Sequence, residues 1–247
     1  MTNDSKAIAC ACVAVLSWST VATAFKMALR YLTHFEMLWV ASLTSLVIFA
    51  VLLTAQRKWR LLGNLTGKQW LYYAGLGLLN PIVLLILLAL FAGQPIPKKK
   101  YIGMFVSLAG VALISIGTGF NGEMSVSTEG FLLAALSAVL WATYWMLNNR
   151  NKLQTDGSVV LFLTFLFGSV YLSVGALFCG LNLSSLTGVL SGMYVGGFEM
   201  GIPFVFFGLA MRKTSNPALI NQLCYLSPFM SLFFISVVLG EQIVFTT

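Results

Sequence analysis

Long apolar runs alternate with short polar linkers along the whole chain. Eight of these runs are close to the ~20 residues that a helix needs to cross the hydrocarbon core of a bilayer. They lie at 7–29, 37–55, 70–93, 101–119, 130–147, 158–181, 186–211 and 217–239. Backbone polar groups in lipid must bond within the protein, and these runs are too long and too uniformly apolar for barrel strands. The pattern therefore predicts an all-α, polytopic transmembrane helix bundle of about eight spans.

Composition agrees with this prediction and excludes several classes of protein. Of the 247 residues, 59% are apolar and 9% are charged, whereas soluble domains are ~45–50% apolar and ~25% charged. Too few residues are polar or charged to cover the apolar core of a soluble domain of this length. The composition therefore excludes a soluble enzyme, a nucleic-acid module and a disordered chain. The lipid bilayer is the expected partner. Nucleic acid is not expected, because the net charge of +7 is spread over short clusters between apolar runs.

The first apolar run has two interpretations. Lys6 precedes it, and Ala22-Thr23-Ala24 is a small-residue stretch of the kind at which signal peptides are cleaved. The same run also has a counterpart later in the chain, and this repetition favours a permanent membrane span.

The two halves of the chain resemble each other when the sequence is shifted along itself. A shift of 123 residues aligns Trp18 with Trp141 and Thr20 with Thr143. Similarity at a fixed period indicates a repeated structural unit. The repeat predicts two domains, at 1–119 and 120–247.

Two segments are missing from this repeat. Pro81 aligns with Pro203 at an offset of 122 residues and with Pro228 at an offset of 147 residues. We therefore expect that the first half lacks about one span-equivalent after Pro81, and that the second half lacks its last span after Thr247. Restoring both segments gives two halves of five spans each. Because five is an odd number of crossings, the two halves have opposite orientations in the membrane.

The basic clusters support the restored arrangement, because cytoplasmic loops collect Lys and Arg. With a cytoplasmic N-terminus, all four clusters then lie inside, at 57–68, 98–100, 150–152 and 212–213. Eight simple spans would put the last three clusters outside. A re-entrant hairpin broken at Asn80-Pro81 would also keep the clusters inside, although we favour one kinked helix for 70–93. We expect a multi-pass protein of the cell membrane, plasma or inner, with its N-terminus in the cytoplasm.

Three short motifs are specific when taken together. They are Leu16-Ser17-Trp18-Ser19-Thr20 in the first run, Pro228 followed by Gly240-Glu241 at the end of the last run, and the glycine-spaced Gly103 and Gly110-Val111. This combination resembles the EamA-type branch of the drug/metabolite transporter superfamily. The resemblance implies a secondary transporter, often an exporter of amino acids or other small metabolites, with a small-molecule metabolite as its partner.

Rival functions lack the residues that they need. An intramembrane aspartyl protease requires two carboxylates at membrane depth, but Asp4 and Asp156 lie outside the apolar runs, and so does the single histidine, His34. We therefore expect no enzyme activity, no metal and no cofactor. The alternative to a transporter is a truncated membrane protein that does not transport, or that serves as an interaction partner. The sequence leaves open whether the chain forms a homodimer.

Glu199 is the sharpest candidate for a site residue. It is the only acidic residue in the middle of an apolar run, where a charge costs at least ~2.5–3.5 kcal/mol and usually faces a cavity or a partner. Gly188, Gly192 and Gly196 recur at every fourth residue before it, so that another helix can come close. Glu199 would bind a substrate amine or exchange the proton that drives transport; the alternative is a hydrogen-bonded structural glutamic acid.

The other candidates are aromatic, polar or helix-breaking residues. The paired tryptophans would form an aromatic wall with cation–π capacity, or they would only pack helices together. Prolines within spans would expose backbone groups at a binding site, or they would only kink the helix. The predicted substrate-binding set is Glu199, Trp18, Thr20, Trp141, Thr143, Asn80, Asn221 and Tyr225, with helix breaks at Pro81, Pro203 and Pro228.

Overall fold

A computed structural model of the chain describes residues 2–79 and 155–240. In these two stretches the chain is helical apart from short connections. The predicted runs at 101–119 and 130–147 lie outside the described residues, as does the second part of 70–93. Four of the predicted site residues also lie outside them: Asn80, Pro81, Trp141 and Thr143.

The described residues form nine α-helices and one π-helical segment. These are α1 (Asn3–Ala28), α2 (His34–Ala55), α3 (Arg60–Gly63), α4 (Gly67–Leu79), α5 (Gly157–Cys179), α6 (Leu186–Val195), the π-helical segment (Gly196–Gly201), α7 (Ile202–Lys213), α8 (Pro217–Leu223) and α9 (Leu226–Leu239). Five stretches are long and apolar enough to cross a membrane: α1, α2, α5, α6 through α7, and α8 through α9. The predicted all-α membrane bundle is therefore confirmed, while the total of eight spans and the inverted repeat stay predictions.

Polar side chains at the helix starts explain where the helices begin. The Thr33 hydroxyl accepts a hydrogen bond from the backbone N–H of Glu36, and the Glu36 carboxylate accepts one from the N–H of Thr33 at 2.8 Å. The Asp156 carboxylate accepts a hydrogen bond from the backbone N–H of Ser158 at 2.9 Å, so that Asp156 is the N-cap residue of α5. Such caps satisfy N–H groups that the first turn of a helix leaves without partners.

Small residues set how closely the spans pack. The span formed by α6, the π-helical segment and α7 contacts both α1 and α2. A side chain at Gly192 would press against Val40 of α2, and one at Gly196 would overlap the backbone of Ala41. Gly192 and Gly196, which were expected to let another helix come close, therefore do so, and the helix that approaches them is α2.

Three polar contacts show which helix ends lie together. The Lys58 ammonium is 2.8 Å from the Asp156 carboxylate, and the Asp4 carboxylate accepts a hydrogen bond from the N–H of Ser215 at 2.7 Å. At the opposite end, the Glu36 carboxylate accepts from the N–H of Asn182 at 2.6 Å. One end of the bundle, here called the basic end, thus gathers Lys6, Arg57, Lys58, Arg60, Arg212 and Lys213.

Candidate functional site

Two predicted site residues meet in the middle of the bundle. The indole N–H of Trp18, on α1, donates a hydrogen bond to the backbone carbonyl oxygen of Glu199 at 3.0 Å. The two residues are 181 positions apart in the chain. The bond uses the backbone of Glu199, so it leaves the side-chain carboxylate free for other interactions.

Pro203 explains why this carbonyl oxygen is available. In an α-helix the N–H four residues ahead would bond to the Glu199 carbonyl, but proline has no N–H. The sequence predicts a helix break at Pro203. In the structure the span runs from Leu186 to Lys213 and changes to π-helical form over Gly196–Gly201, just before the proline. The α-helical hydrogen-bond pattern is therefore interrupted next to Pro203, while the backbone stays helical.

A second side chain reaches the same segment from α2. The hydroxyl of Ser45 lies 2.8 Å from the carbonyl oxygen of Gly196 and 2.9 Å from that of Ala41, and the two oxygens share its single proton. Ser45 is completely buried. It reaches Gly196 because the glycine has no side chain to hold α2 away. Sequence analysis missed Ser45, since one serine in an apolar run carries no pattern.

Three aromatic residues lie on the span that carries Glu199: Tyr194, Phe198 and Phe207. Tyr194 donates a hydrogen bond through its hydroxyl to the Thr20 hydroxyl at 2.8 Å, and its ring stacks on Phe198 with 4.4 Å between centroids. The Trp18 ring packs against Phe207 at 5.5 Å. We call the following residues the Glu199 cluster: Trp18, Thr20, Tyr194, Phe198, Glu199 and Phe207. Tyr194, Phe198 and Phe207 were missed, because aromatic residues are common in any apolar span.

The carboxylate of Glu199 has no partner in the part of the chain that the structure describes. Glu199 is half-buried, and within residues 2–79 and 155–240 no group donates a hydrogen bond to its side chain or forms an ion pair with it. The described residues therefore do not provide the hydrogen bonds that a structural glutamic acid would need. They leave a carboxylate that a ligand or a proton can engage.

Comparison with known proteins gives one family match. The sequence model described as "EamA-like transporter family" matches residues 128–247, which include the π-helical segment and Glu199. The second half of this chain is therefore similar to that family, in agreement with the resemblance carried by the sequence motifs.

Two individual proteins also resemble this chain. It is 28% identical over 170 residues to "Uncharacterized transporter YvbV" of Bacillus subtilis (strain 168), a match that covers 66% of this chain and 53% of the relative. The chain thus spans about half the length of that curated relative. A structure described as "Crystal structure of protein" superposes with a TM-score of 0.70 over 98% of this chain and 91% of the other. At 19% identity, this likeness shows the fold alone.

The remaining predicted site residues that the structure describes lie elsewhere. Asn221, on α8, and Tyr225, just after it, are exposed, and in the described stretches neither is seen against the Glu199 cluster. A helix break was predicted at Pro228, but Pro228 is the third residue of α9. Helical N–H groups in the first turn have no intrahelical acceptor, so a proline is tolerated there. The interruption between α8 and α9 falls instead at Cys224 and Tyr225.

The described residues offer no metal centre. Among them, no group of three or more His, Cys, Asp or Glu side chains is close enough together to hold a metal ion. What the site offers chemically is one carboxylate, several aromatic faces and a hydroxyl pair. These groups suit a small organic cation or a proton.

Proposed function

We propose that this chain is a membrane secondary transporter that exports a small metabolite with an amino group, such as an amino acid, and that the Glu199 cluster is its substrate site. The observation that carries the proposal is the Glu199 carboxylate, which sits within a span without a partner among the described residues. The match of its second half to the EamA-like transporter family supports the same conclusion.

The proposed chemistry follows from the groups in the cluster. The Glu199 carboxylate holds the ammonium group of the substrate, or it gives up a proton when the substrate binds and regains one when the substrate leaves. The rings of Tyr194 and Phe198 lie on the same span and would add cation–π attraction. Trp141 and Thr143, the predicted repeat counterparts of Trp18 and Thr20, belong to the same proposed substrate-binding set and lie outside the described residues.

The proposal includes an orientation. We propose that the basic end faces the cytoplasm of a cell that carries the protein in its plasma or inner membrane, and that the N-terminus is cytoplasmic. The positive-inside rule supports this orientation, since Lys58, after α2, and Arg212, in the last turn of α7, both lie at that end. Two EamA-like repeats at 1–119 and 120–247 are part of the same proposal.

Transport by purified protein in proteoliposomes tests the proposal. Vesicles loaded with a mixture of amino acids are diluted into labelled amino acids, one at a time, and exchange is followed at several pH values. Glu199→Gln keeps the size of the side chain and removes its charge. We expect it to abolish exchange or its pH dependence, whereas Met200→Leu, a neighbouring control, leaves both intact.

Two results would contradict the proposal. If Glu199→Gln exchanges substrate with an unchanged pH profile, Glu199 is structural. If the unaltered chain folds but exchanges no metabolite at all, the chain is a membrane protein that does not transport.

A further inference from the structure

Two side chains from different helices hold the segment that carries Glu199. Ser45 of α2 donates to the carbonyl oxygen of Gly196, the first residue of the π-helical segment. Trp18 of α1 donates to the carbonyl oxygen of Glu199, the fourth residue of that segment. Both bonds go to the backbone, so neither donor touches the Glu199 carboxylate.

Residues in or next to the π-helical segment explain why the two donors can reach their carbonyl acceptors. Pro203 removes the N–H that an α-helix would offer to the Glu199 carbonyl. Gly196 lacks the side chain that would otherwise strike the backbone of Ala41 and keep Ser45 at a distance. The π-helical segment thus offers carbonyl oxygens to which Trp18 of α1 and Ser45 of α2 donate. Single π-helical turns within α-helices are frequent at functional sites.

The register of the helix determines where Glu199 points. A change of one residue in register rotates a side chain by roughly 100° about the helix axis. If the segment returned to α-helical form, the Glu199 carboxylate would leave its present direction, although no atom of its side chain had been altered. The two donors lie on α1 and α2, so they act on the segment from two separate helices.

We propose that Trp18 and Ser45 are positioning residues, which hold the segment in π-helical form and thereby fix the direction of the Glu199 carboxylate. This inference rests on the proposed function to the extent that Glu199 binds the substrate or the proton. It assigns Trp18 a backbone-holding role in addition to the aromatic wall, and it adds Ser45, which acts only through the backbone.

The reactivity of Glu199 toward a carbodiimide tests the inference without any substrate. Dicyclohexylcarbodiimide modifies carboxyl groups inside membranes, and mass spectrometry of the protein in liposomes measures the rate at residue 199. Trp18→Phe removes the indole N–H and keeps an aromatic ring, and Ser45→Ala removes the hydroxyl. We expect each to change the rate at Glu199 by about fivefold, the factor for one hydrogen bond of ordinary net strength.

Matched controls remove the same groups from bonds elsewhere in the bundle. The Trp39 indole N–H donates to the Ser173 hydroxyl at 3.1 Å, and the Ser42 and Ser169 hydroxyls are 2.8 Å apart. Trp39→Phe and Ser42→Ala should therefore leave the rate at Glu199 unchanged. Glu199→Gln supplies the background. Equal changes in the controls would mean general loosening of the bundle and would overturn the inference.

Pro203→Ala provides a second route to the same state. It restores the backbone N–H that an α-helix offers to the Glu199 carbonyl, so it should reproduce the effect of Trp18→Phe. In this background, Trp18→Phe should have little further effect, because both changes act on one carbonyl group. This variant keeps the inference testable if Trp18→Phe does not fold.

The outcomes separate this inference from the proposed function. Unchanged reactivity in folded Trp18→Phe, Ser45→Ala and Pro203→Ala overturns the positioning role, whatever Glu199 does in transport. Altered reactivity together with normal transport by Glu199→Gln would uphold the positioning role and remove the proposed function.

Discussion

Gly77 and Glu199 occupy equivalent positions in the predicted repeat, 122 residues apart, but the protein uses them differently. A side chain at Gly77, on α4, would come within 2.6 Å of Phe167 Cβ and 3.0 Å of the Gly168 nitrogen on α5. Glu199 instead carries a carboxylate without a partner among the described residues. At Gly77 two helices are therefore in close contact. At Glu199 a carboxylate has no hydrogen-bond or ion-pair partner among the described residues.

This difference is the reason that we place the proposed site at Glu199 and not at Gly77. Close packing at Gly77 leaves no room for a ligand, whereas side chains from two other helices donate to the backbone of the π-helical segment that carries Glu199. Under the proposed function, a substrate with a single charged end needs only one such carboxylate.

Gly196→Ala should be the most damaging of these changes. Its new methyl group would meet the carbonyl oxygen and Cα of Ala41, which are backbone atoms and cannot rotate away. Overpacking of this kind costs about 1–3 kcal/mol, and occasionally more. We expect a marked fall in the unfolding temperature and in the yield of monodisperse protein. Gly208→Ala is the control, since open space surrounds a side chain at that position; an equal loss there would contradict the packing described.

Gly77→Ala should destabilise the bundle somewhat less. The obstacles are Phe167 Cβ, the Gly168 nitrogen and the Thr164 carbonyl oxygen, at 2.6 to 3.1 Å, and we expect a cost of about 1–2 kcal/mol by the same overpacking argument. Gly75→Ala meets nothing within 4 Å and should gain up to about 1 kcal/mol from helix propensity. Thermal unfolding of both variants and of the unaltered protein measures these changes in stability. If Gly77→Ala unfolds at the same temperature as the unaltered protein, the close packing described at Gly77 is contradicted.

Asp156 gives a pH-dependent prediction at the basic end. Burial disfavours the charged form, but hydrogen bonds from Lys58 and from the N–H of Ser158 outweigh it, and the pKa of Asp156 falls below its ordinary value. Its contribution is therefore complete above the ordinary pKa and is lost as the pH falls through the lowered one. Asp156→Asn should cost about 0.5–1 kcal/mol at neutral pH, since the pair is partly exposed.

Unfolding followed between pH 7 and pH 3 measures the contribution of Asp156. The unaltered protein should lose stability in the acid range, and Asp156→Asn should lose less of it. Lys58→Met should behave like Asp156→Asn, whereas Lys68→Met, at an exposed lysine, should not. Parallel acid curves for all four proteins would show that the pair has no role in stability.

Thr23→Val should have the smallest effect. The Thr23 hydroxyl is buried and has no hydrogen-bond partner in the described part of the chain, and valine has nearly the same shape. Removing an unsatisfied hydroxyl is neutral or slightly stabilising, within about 0.5 kcal/mol. A clear loss of stability on thermal unfolding would mean that this hydroxyl has a partner that matters.

The spans could be predicted from the sequence because membrane crossing is a matter of length and apolarity. The run at 217–239 coincides with α8 and α9, and the run at 7–29 differs from Asn3–Ala28 by only a few residues. Glu199 stood out for the same reason, as the one acidic residue in the middle of such a run.

The geometry around Glu199 could not be predicted in the same way. Pro203 signalled a disturbed helix, but under our proposal the choice between a break and a π-helical turn depends on the donors that reach the carbonyl oxygens of Glu199 and Gly196. Those donors, Trp18 and Ser45, are more than 150 residues from their acceptors, and no local pattern announces such a pairing. The stacking of Tyr194 on Phe198 was overlooked because their four-residue spacing is ordinary in a helix.

Direct binding tests most sharply whether Glu199 holds the substrate. A labelled amino acid or amine that exchanges in proteoliposomes is titrated onto the purified chain, and its affinity is compared between the unaltered protein, Glu199→Gln and Met200→Leu. Loss of a charged hydrogen bond to the ligand corresponds to about 1.5–3 kcal/mol, or roughly ten- to more than a hundredfold in affinity. We predict such a loss for Glu199→Gln and none for Met200→Leu; equal affinity of all three folded proteins would contradict the account.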